Sequence, residues 1–153
     1  MSRIHESIQV DVPVHTAYNQ WTQFEEFPRF MDGVERVVQV SDTNLEWTAE
    51  IGGRMKTWTA RITRQEPDQV ISWTAVDGAA NAGTVSFYPY EGGTRIKLDL
   101  DVEPDGPIEI AGDALGMVRR RAKGDLERFR TFIESRGVET GAWRGTVNAG
   151  RTR

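Results

Sequence analysis

Two charged residues sit where a β-strand pattern asks for apolar ones. Glu6 falls between Ile4 and Ile8, and Lys56 lies two residues before Trp58 on the same strand face. A carboxylate or ammonium turned into an apolar space is poorly solvated, so its pKa moves and it could act as acid or base on a bound molecule. The competing reading is that each lies near a strand end and reaches water. Arg121 is a third candidate, because within the run Arg119-Arg120-Arg121 it falls closest to the apolar stripe of a helix. The run is otherwise a solvated helix face. If there is catalysis by side chains, Glu6, Lys56 and Arg121 are the acid–base candidates. The two histidines do not compete with them. His5 is on the expected solvent face of the first strand and His15 on the first helix, so neither His-based catalysis nor a metal site is expected. The absence of cysteine excludes disulfides, thiolate nucleophiles and cysteine-held metals. Gly52-Gly53 and Gly92-Gly93 read as hairpin turns, not phosphate loops.

A second set of residues suits binding. Trp47, Trp58 and Trp73 occupy the same face of three successive strands. Such flat walls stack well on a polycyclic or quinone-like ligand, although the same residues could simply fill a core. Phe27, Phe30 and Met31, with Leu115 and Met117, would close the mouth of a cavity, and Phe87 belongs to the same inward surface. The segment from Tyr18 to Val34 carries seven large apolar side chains (Tyr18, Trp21, Phe24, Phe27, Phe30, Met31, Val34) on two short helical turns. That is more apolar surface than two surface helices need, and it suggests a lid or wall over an apolar space.

The elements that must position these residues follow from periodicity. Residues 3–12 alternate as a half-buried strand. Pro13 then suits a first helical turn, Ala17, Tyr18 and Trp21 step at helical spacing, and Phe27-Pro28 starts a second short turn that Asp32-Gly33 ends. Strands are predicted near 34–41, 44–52, 55–65, 69–76, 82–90 and 94–103. Turn residues separate them at short intervals, which implies an antiparallel meander. One face of these strands is apolar and the other is rich in Thr, Ser and charge, so the sheet is covered on one side only. The cover is a long helix from about Asp105-Gly106-Pro107 to Arg136, with a stripe of Leu115, Val118, Ala122, Leu126, Phe129 and Ile133. Gly112 and Gly116 within it cost about 1 kcal/mol each against Ala, and they admit close packing or leave room for a ligand. Residues 137–153 are glycine-rich, carry three Arg against one Glu, and are expected to be mobile, with Trp143 as a possible dock.

Composition bounds the rest. The chain has 153 residues, enough for one domain with a substantial core, here predicted over 1–136. A net charge of −4 with a pI near 5.3 argues against nucleic acid as the main partner. There is no apolar run long enough to span a membrane and no signal-peptide pattern, so a cytoplasmic location is the expectation.

A strand, two short helices, six antiparallel strands and a long closing helix is the helix-grip order. With Val10-Asp11-Val12-Pro13-Val14, Tyr18-Asn19-Gln20-Trp21, Phe27-Pro28-Arg29-Phe30-Met31, Pro67-Asp68-Gln69-Val70-Ile71-Ser72-Trp73 and Gly83-Thr84-Val85-Ser86-Phe87, the chain resembles the polyketide cyclase/dehydrase and lipid-transport superfamily, also called START-like. The resemblance covers about residues 3–136. It implies an α+β fold of about seven strands curved around the C-terminal helix, with a cavity between them. It also implies a hydrophobic or aromatic small-molecule partner. If the chain is an enzyme, it implies a cyclase or dehydratase acting on a polyketide-like substrate. Other members imply a non-catalytic lipid or quinone carrier, or a protein-interaction module of the ribosome-associated toxin type. No family catalytic residue maps onto this chain, no cofactor is expected, and a monomer or weak dimer is the expected state.

Overall fold

The computed structural model describes residues 2–51, 53–76, 81–102, 114–149 and 151–152. The elements run β1 (Ser2–Val10), α1 (Val14–Trp21), a 3-10 turn (Phe24–Arg29), β2 (Val34–Gln39), β3 (Asn44–Ile51), β4 (Arg54–Glu66), β5 (Val70–Ala75), β6 (Asn81–Tyr90), β7 (Gly93–Val102), α2 (Ala114–Arg136), β8 (Val147–Asn148) and β9 (Arg151–Thr152). The expected strands match these within a few residues. The expected start of the long helix near residue 105, and Gly112, lie outside the described residues.

The sheet is antiparallel in the order β1-β7-β6-β5-β4-β3-β2. Every neighbouring pair except β1–β7 is a sequential hairpin, as short turns require. The β1–β7 pairing brings the two ends of the meander together, from Ser2↔Val102 to Val10↔Thr94. Alternation fixes the register, since a one-residue slip would turn the apolar face outward. Ile4, Val10, Ile62, Ile71, Val85 and Ile96 are nearly fully buried. Arg3, His5, Asp99 and Asp101 meet on the opposite face, with Arg3 Nε 2.8 Å from Asp101 and His5 bonded to Asp99.

α2 lies across the apolar face, placing Ala122, Leu126, Phe129 and Ile133 in the core. The interior is an aromatic network: Phe129 packs at 4.8 Å on Trp21 and 5.2 Å on Phe30, and Phe87 at 5.4 Å on Tyr18. Most of these pairs are edge-to-face or tilted, the favoured arrangement of ring quadrupoles. At the far end of α2, Glu134 accepts the Asp11 backbone N–H at 2.8 Å, tying the helix to the end of β1.

The segment after α2 differs from the expectation of a mobile tail. Residues 137–149 run back along the body and supply partners to α1, whose Thr16, Asn19, Gln20 and the following Thr22 are buried despite being polar. Asn19 donates to Glu139 (2.9 Å), Gln20 accepts the Thr140 N–H (2.8 Å), and Thr22 accepts the Trp143 N–H (3.1 Å). Arg144 makes a two-pronged ion pair with Asp68 (2.8 and 2.9 Å) and also donates to Asn19. Val147 is fully buried and pairs with Gln65 of β4. Local composition shows no periodicity here because most of these contacts are long-range bonds to side chains and the strand pairing is only two residues long.

Candidate functional site

Between the sheet and α2 lies a cavity of about 250 Å³. Its sheet side is built from inward strand positions: Leu45 and Trp47 of β3, Trp58 and Ile62 of β4, Ile71 and Trp73 of β5, and Leu98 and Leu100 of β7. Val118, Ala122 and Leu126 of α2 form the opposite wall, and Trp21, Phe24, Phe27 and Met31 close one end. Trp47 and Trp58 are direct cross-strand partners, and their rings stack 5.8 Å apart at only 8°. They form a parallel aromatic pair on the sheet side of the cavity, and Phe27 tilts against Trp47 at 5.7 Å.

Among the described residues, the polar side chains that line it are those of Asn81, Arg121 and Asp125. Arg121 and Asp125 are one helical turn apart, on the same side of α2. Both grip the loop that follows the 3-10 turn. Arg121 donates through Nε to the Asp32 carbonyl (2.9 Å) and through Nη2 to the carbonyls of Asp32 and Glu50, the latter at 3.2 Å. Asp125 accepts the Asp32 N–H at 3.0 Å and pairs with Arg128, which also donates to the Phe30 carbonyl (3.0 Å). Met31 to Gly33 are thereby clamped between the cavity and an outer groove of about 430 Å³ that they also line. Burial raises the Asp125 pKa above the ordinary aspartate value, against the pull of the Asp32 N–H and of Arg128 and Arg121.

Of the expected site residues, the structure brings Phe27, Met31, Trp47, Trp58, Trp73 and Arg121 to the cavity. Phe30 and Phe87 are instead buried in the aromatic core. Met117 is about half exposed. The side chain of Leu115 lies outside the described residues. Glu6 borders an outer groove with His5, Ser7, Tyr88, Tyr90, Arg95 and Lys97. Lys56 is half-buried opposite Ala49, beyond the cavity lining. Asp125 was missed, yet its signal was present: positions 118, 121, 122, 125 and 126 recur at helical spacing and share one face. Among the described residues, no group of three or more His, Asp or Glu side chains could hold a metal ion, and no helix is long and apolar enough to cross a membrane. The arrangement can hold a flat apolar molecule, with a carboxylate and a guanidinium at its edge.

Comparisons with known proteins agree with this geometry. Residues 10–130 match the family model for polyketide cyclase / dehydrase and lipid transport. An uncharacterized 17.2 kDa protein from the melC2–rnhH intergenic region of Streptomyces lincolnensis is 54% identical over 149 residues, covering 96% of this chain and 99% of the relative. A START superfamily protein from Mycobacterium smegmatis superposes with a TM-score of 0.68 at 19% identity, over 88% of this chain and 95% of its own. The Zhui aromatase/cyclase from Streptomyces sp. R1128 gives a TM-score of 0.68 at 15% identity, over 93% and 99% of the two chains. At these identities the two structures speak to the fold alone.

Proposed function

The chain belongs to the polyketide cyclase / dehydrase and lipid transport family, and we propose that its cavity binds a flat apolar or aromatic small molecule in a polyketide-related role. The observation that carries this reading is the stacked Trp47–Trp58 wall facing an apolar space of about 250 Å³ beneath α2. A concave, largely apolar volume with a few polar groups among its lining is the usual form of a small-molecule site. Stacked indoles favour ring systems over flexible chains, because the wall is already ordered before the ligand arrives.

If the bound molecule reacts, the cavity acts by holding a reactive chain in one folded geometry, a proximity effect that needs no dedicated nucleophile. Arg121 is then the candidate nearest the ligand, and the substrate class is polyketide-like. Glu6 and Lys56, outside the cavity lining, would act only on a molecule that extends beyond it. A lipid or quinone carrier would use the same cavity without turnover.

Two measurements test the binding reading. Native mass spectrometry of protein purified from its own host should show a retained small molecule. Titration with 2-naphthol and 1-hydroxypyrene, followed by probe anisotropy, should saturate in the wild type and weaken in Trp47→Ala. If no molecule is retained and neither probe saturates, the reading is wrong.

A further inference from the structure

The inward row of side chains that floors the cavity runs Ile4, Leu100, Gly83, Trp73, Ile62 across β1, β7, β6, β5 and β4. Four positions carry bulky side chains, and Leu100, Trp73 and Ile62 line the cavity. The fifth is glycine. Glycine weakens a central strand, and it often marks a place where another group approaches the backbone closely. Here that group is the Trp73 indole. A Cβ placed on Gly83 would stand 2.4 Å from Cζ2, 2.7 Å from Cη2 and 2.9 Å from Cε2 of Trp73. The six-membered half of the indole therefore lies sideways over β6, in the space that a side chain at position 83 would otherwise fill.

We propose that Gly83 is a specificity-determining position of the ligand cavity: by receiving the Trp73 indole, it sets the cavity's depth and so the largest ring system admitted. This rests on the reading that the cavity binds a small molecule. With any larger residue at position 83 the indole cannot stay where it is. Restoring an ordinary 3.4 Å contact from 2.4 Å requires a movement of about 1 Å. Ile62 blocks the indole on the β4 side and the new side chain blocks it on the β6 side. The open direction is into the cavity, whose 250 Å³ leaves little to lose.

The test uses the full chain and two planar probes of different size, 2-naphthol and 1-hydroxypyrene. Probe anisotropy is the readout, so that changes at Trp73 do not alter the signal itself. Gly83→Ala should weaken 1-hydroxypyrene by about tenfold or more while 2-naphthol changes by less than about threefold, the scale on which apolar pockets discriminate a methylene. Adding Trp73→Phe to Gly83→Ala should restore the larger probe. Equal weakening of both probes, no change in either, or no rescue in the double variant overturns the assignment of Gly83. Wild-type protein that binds neither probe overturns the binding reading itself, and this assignment with it. If near-UV circular dichroism shows that Gly83→Ala has not folded, Trp73→Phe alone decides. It must shift preference toward 1-hydroxypyrene, and an unchanged ratio of the two affinities refutes the proposal.

Discussion

Gly33 and Gly92 have nearly the same backbone conformation, with φ of +78° and +81°. Replacing either by alanine imposes the same left-handed strain, about 1–2 kcal/mol. Their surroundings differ sharply. A Cβ on Gly92 meets nothing within 4 Å, whereas a Cβ on Gly33 falls 1.5 Å from Arg121 Nη2, 2.8 Å from its Cζ and 3.0 Å from the Glu50 carbonyl oxygen. No side chain absorbs an overlap of that size in place, so Arg121 must leave. Its bonds to the Asp32 and Glu50 carbonyls then break. Charge-assisted hydrogen bonds contribute roughly 1.5–3 kcal/mol each when buried, but Arg121 is partly exposed and regains water, which reduces the loss to about 1–2 kcal/mol for the set.

Gly92→Ala should therefore cost about 1–2 kcal/mol and Gly33→Ala about 2–4 kcal/mol. In an Arg121→Ala background the overlap with Arg121 is gone and only the 3.0 Å approach to the Glu50 carbonyl remains, so Gly33→Ala should fall close to the Gly92→Ala value. The assay is urea denaturation of the four variants and the wild type, read as midpoints at a common slope and combined as a double-mutant cycle. The clamp on the Met31–Gly33 loop is refuted if Gly33→Ala and Gly92→Ala agree within about 0.5 kcal/mol, or if the effects of Gly33→Ala and Arg121→Ala simply add.

The other predictions concern charge, the tail and the void. The Asp125 pKa is raised in the folded protein, so the native state holds more protons than the unfolded one in that range, and its contribution to stability falls as pH rises from the usual aspartate value near 3.9 through the folded value. Asp125→Asn should remove that decline, and a stability–pH profile with unchanged slope in the acid range would contradict it. A chain ending after Gly137 should lose amide protection around Asn19–Thr22 and Gln65 while the β6–β7 pairing keeps its own; unaltered exchange at α1 would show that the tail contacts are dispensable. Ala122→Leu fills space on the helix wall of the cavity, so it should raise the unfolding free energy read from urea denaturation by roughly 1–2 kcal/mol while abolishing probe binding; tighter binding would contradict the location of the site.

The fold was legible because β-alternation and helical spacing are local signals. Leu45-Trp47-Ala49 and Trp58-Ala60-Ile62 can be turned inward only together, and the Trp47–Trp58 stack follows from that phase plus one hairpin. Which aromatic residues line the cavity and which fill the core was not legible. Phe27 and Phe30 sit one turn apart in the same short segment, yet Phe27 borders the cavity and Phe30 packs on Phe129 and Phe132. That choice depends on helix placement to within a few ångströms, which no sequence period encodes. The charged candidates divide differently: Arg121 reaches the cavity edge, whereas Glu6 and Lys56 do not line it. Glu6 and Lys56 keep an inward strand phase, yet Glu6 lies on the edge strand β1 opposite Leu98 and Lys56 opposite Ala49, one place past the residues that line the cavity. Trp143 was legible as a dock and does pack against the core, but the polar docking of the tail was hidden because it depends on residues of α1 finding partners about 120 positions later.

The void itself argues for a ligand more strongly than any one residue does. Unfilled space in a core costs on the order of 24 cal/mol per Å³, so 250 Å³ corresponds to at most about 6 kcal/mol, less where the mouth admits water. That is comparable to the whole stability of many domains, about 5–15 kcal/mol. The same chain packs Tyr18, Phe129, Leu126 and Ile133 to near-zero exposure a short distance away, so its sequence is able to fill space tightly. A leucine at Ala122 is a small change that would recover part of the missing contact. Retaining Ala122 on one wall and Gly83 beneath the other keeps the space open at a cost in stability. Occupancy offsets that cost, because a ligand that binds only the folded state adds RT ln(1 + [L]/Kd) to its stability. Small residues at both positions therefore belong to the same reading as the stacked tryptophans: together they make a space that is apolar, lined by aromatic rings and incompletely filled by the chain.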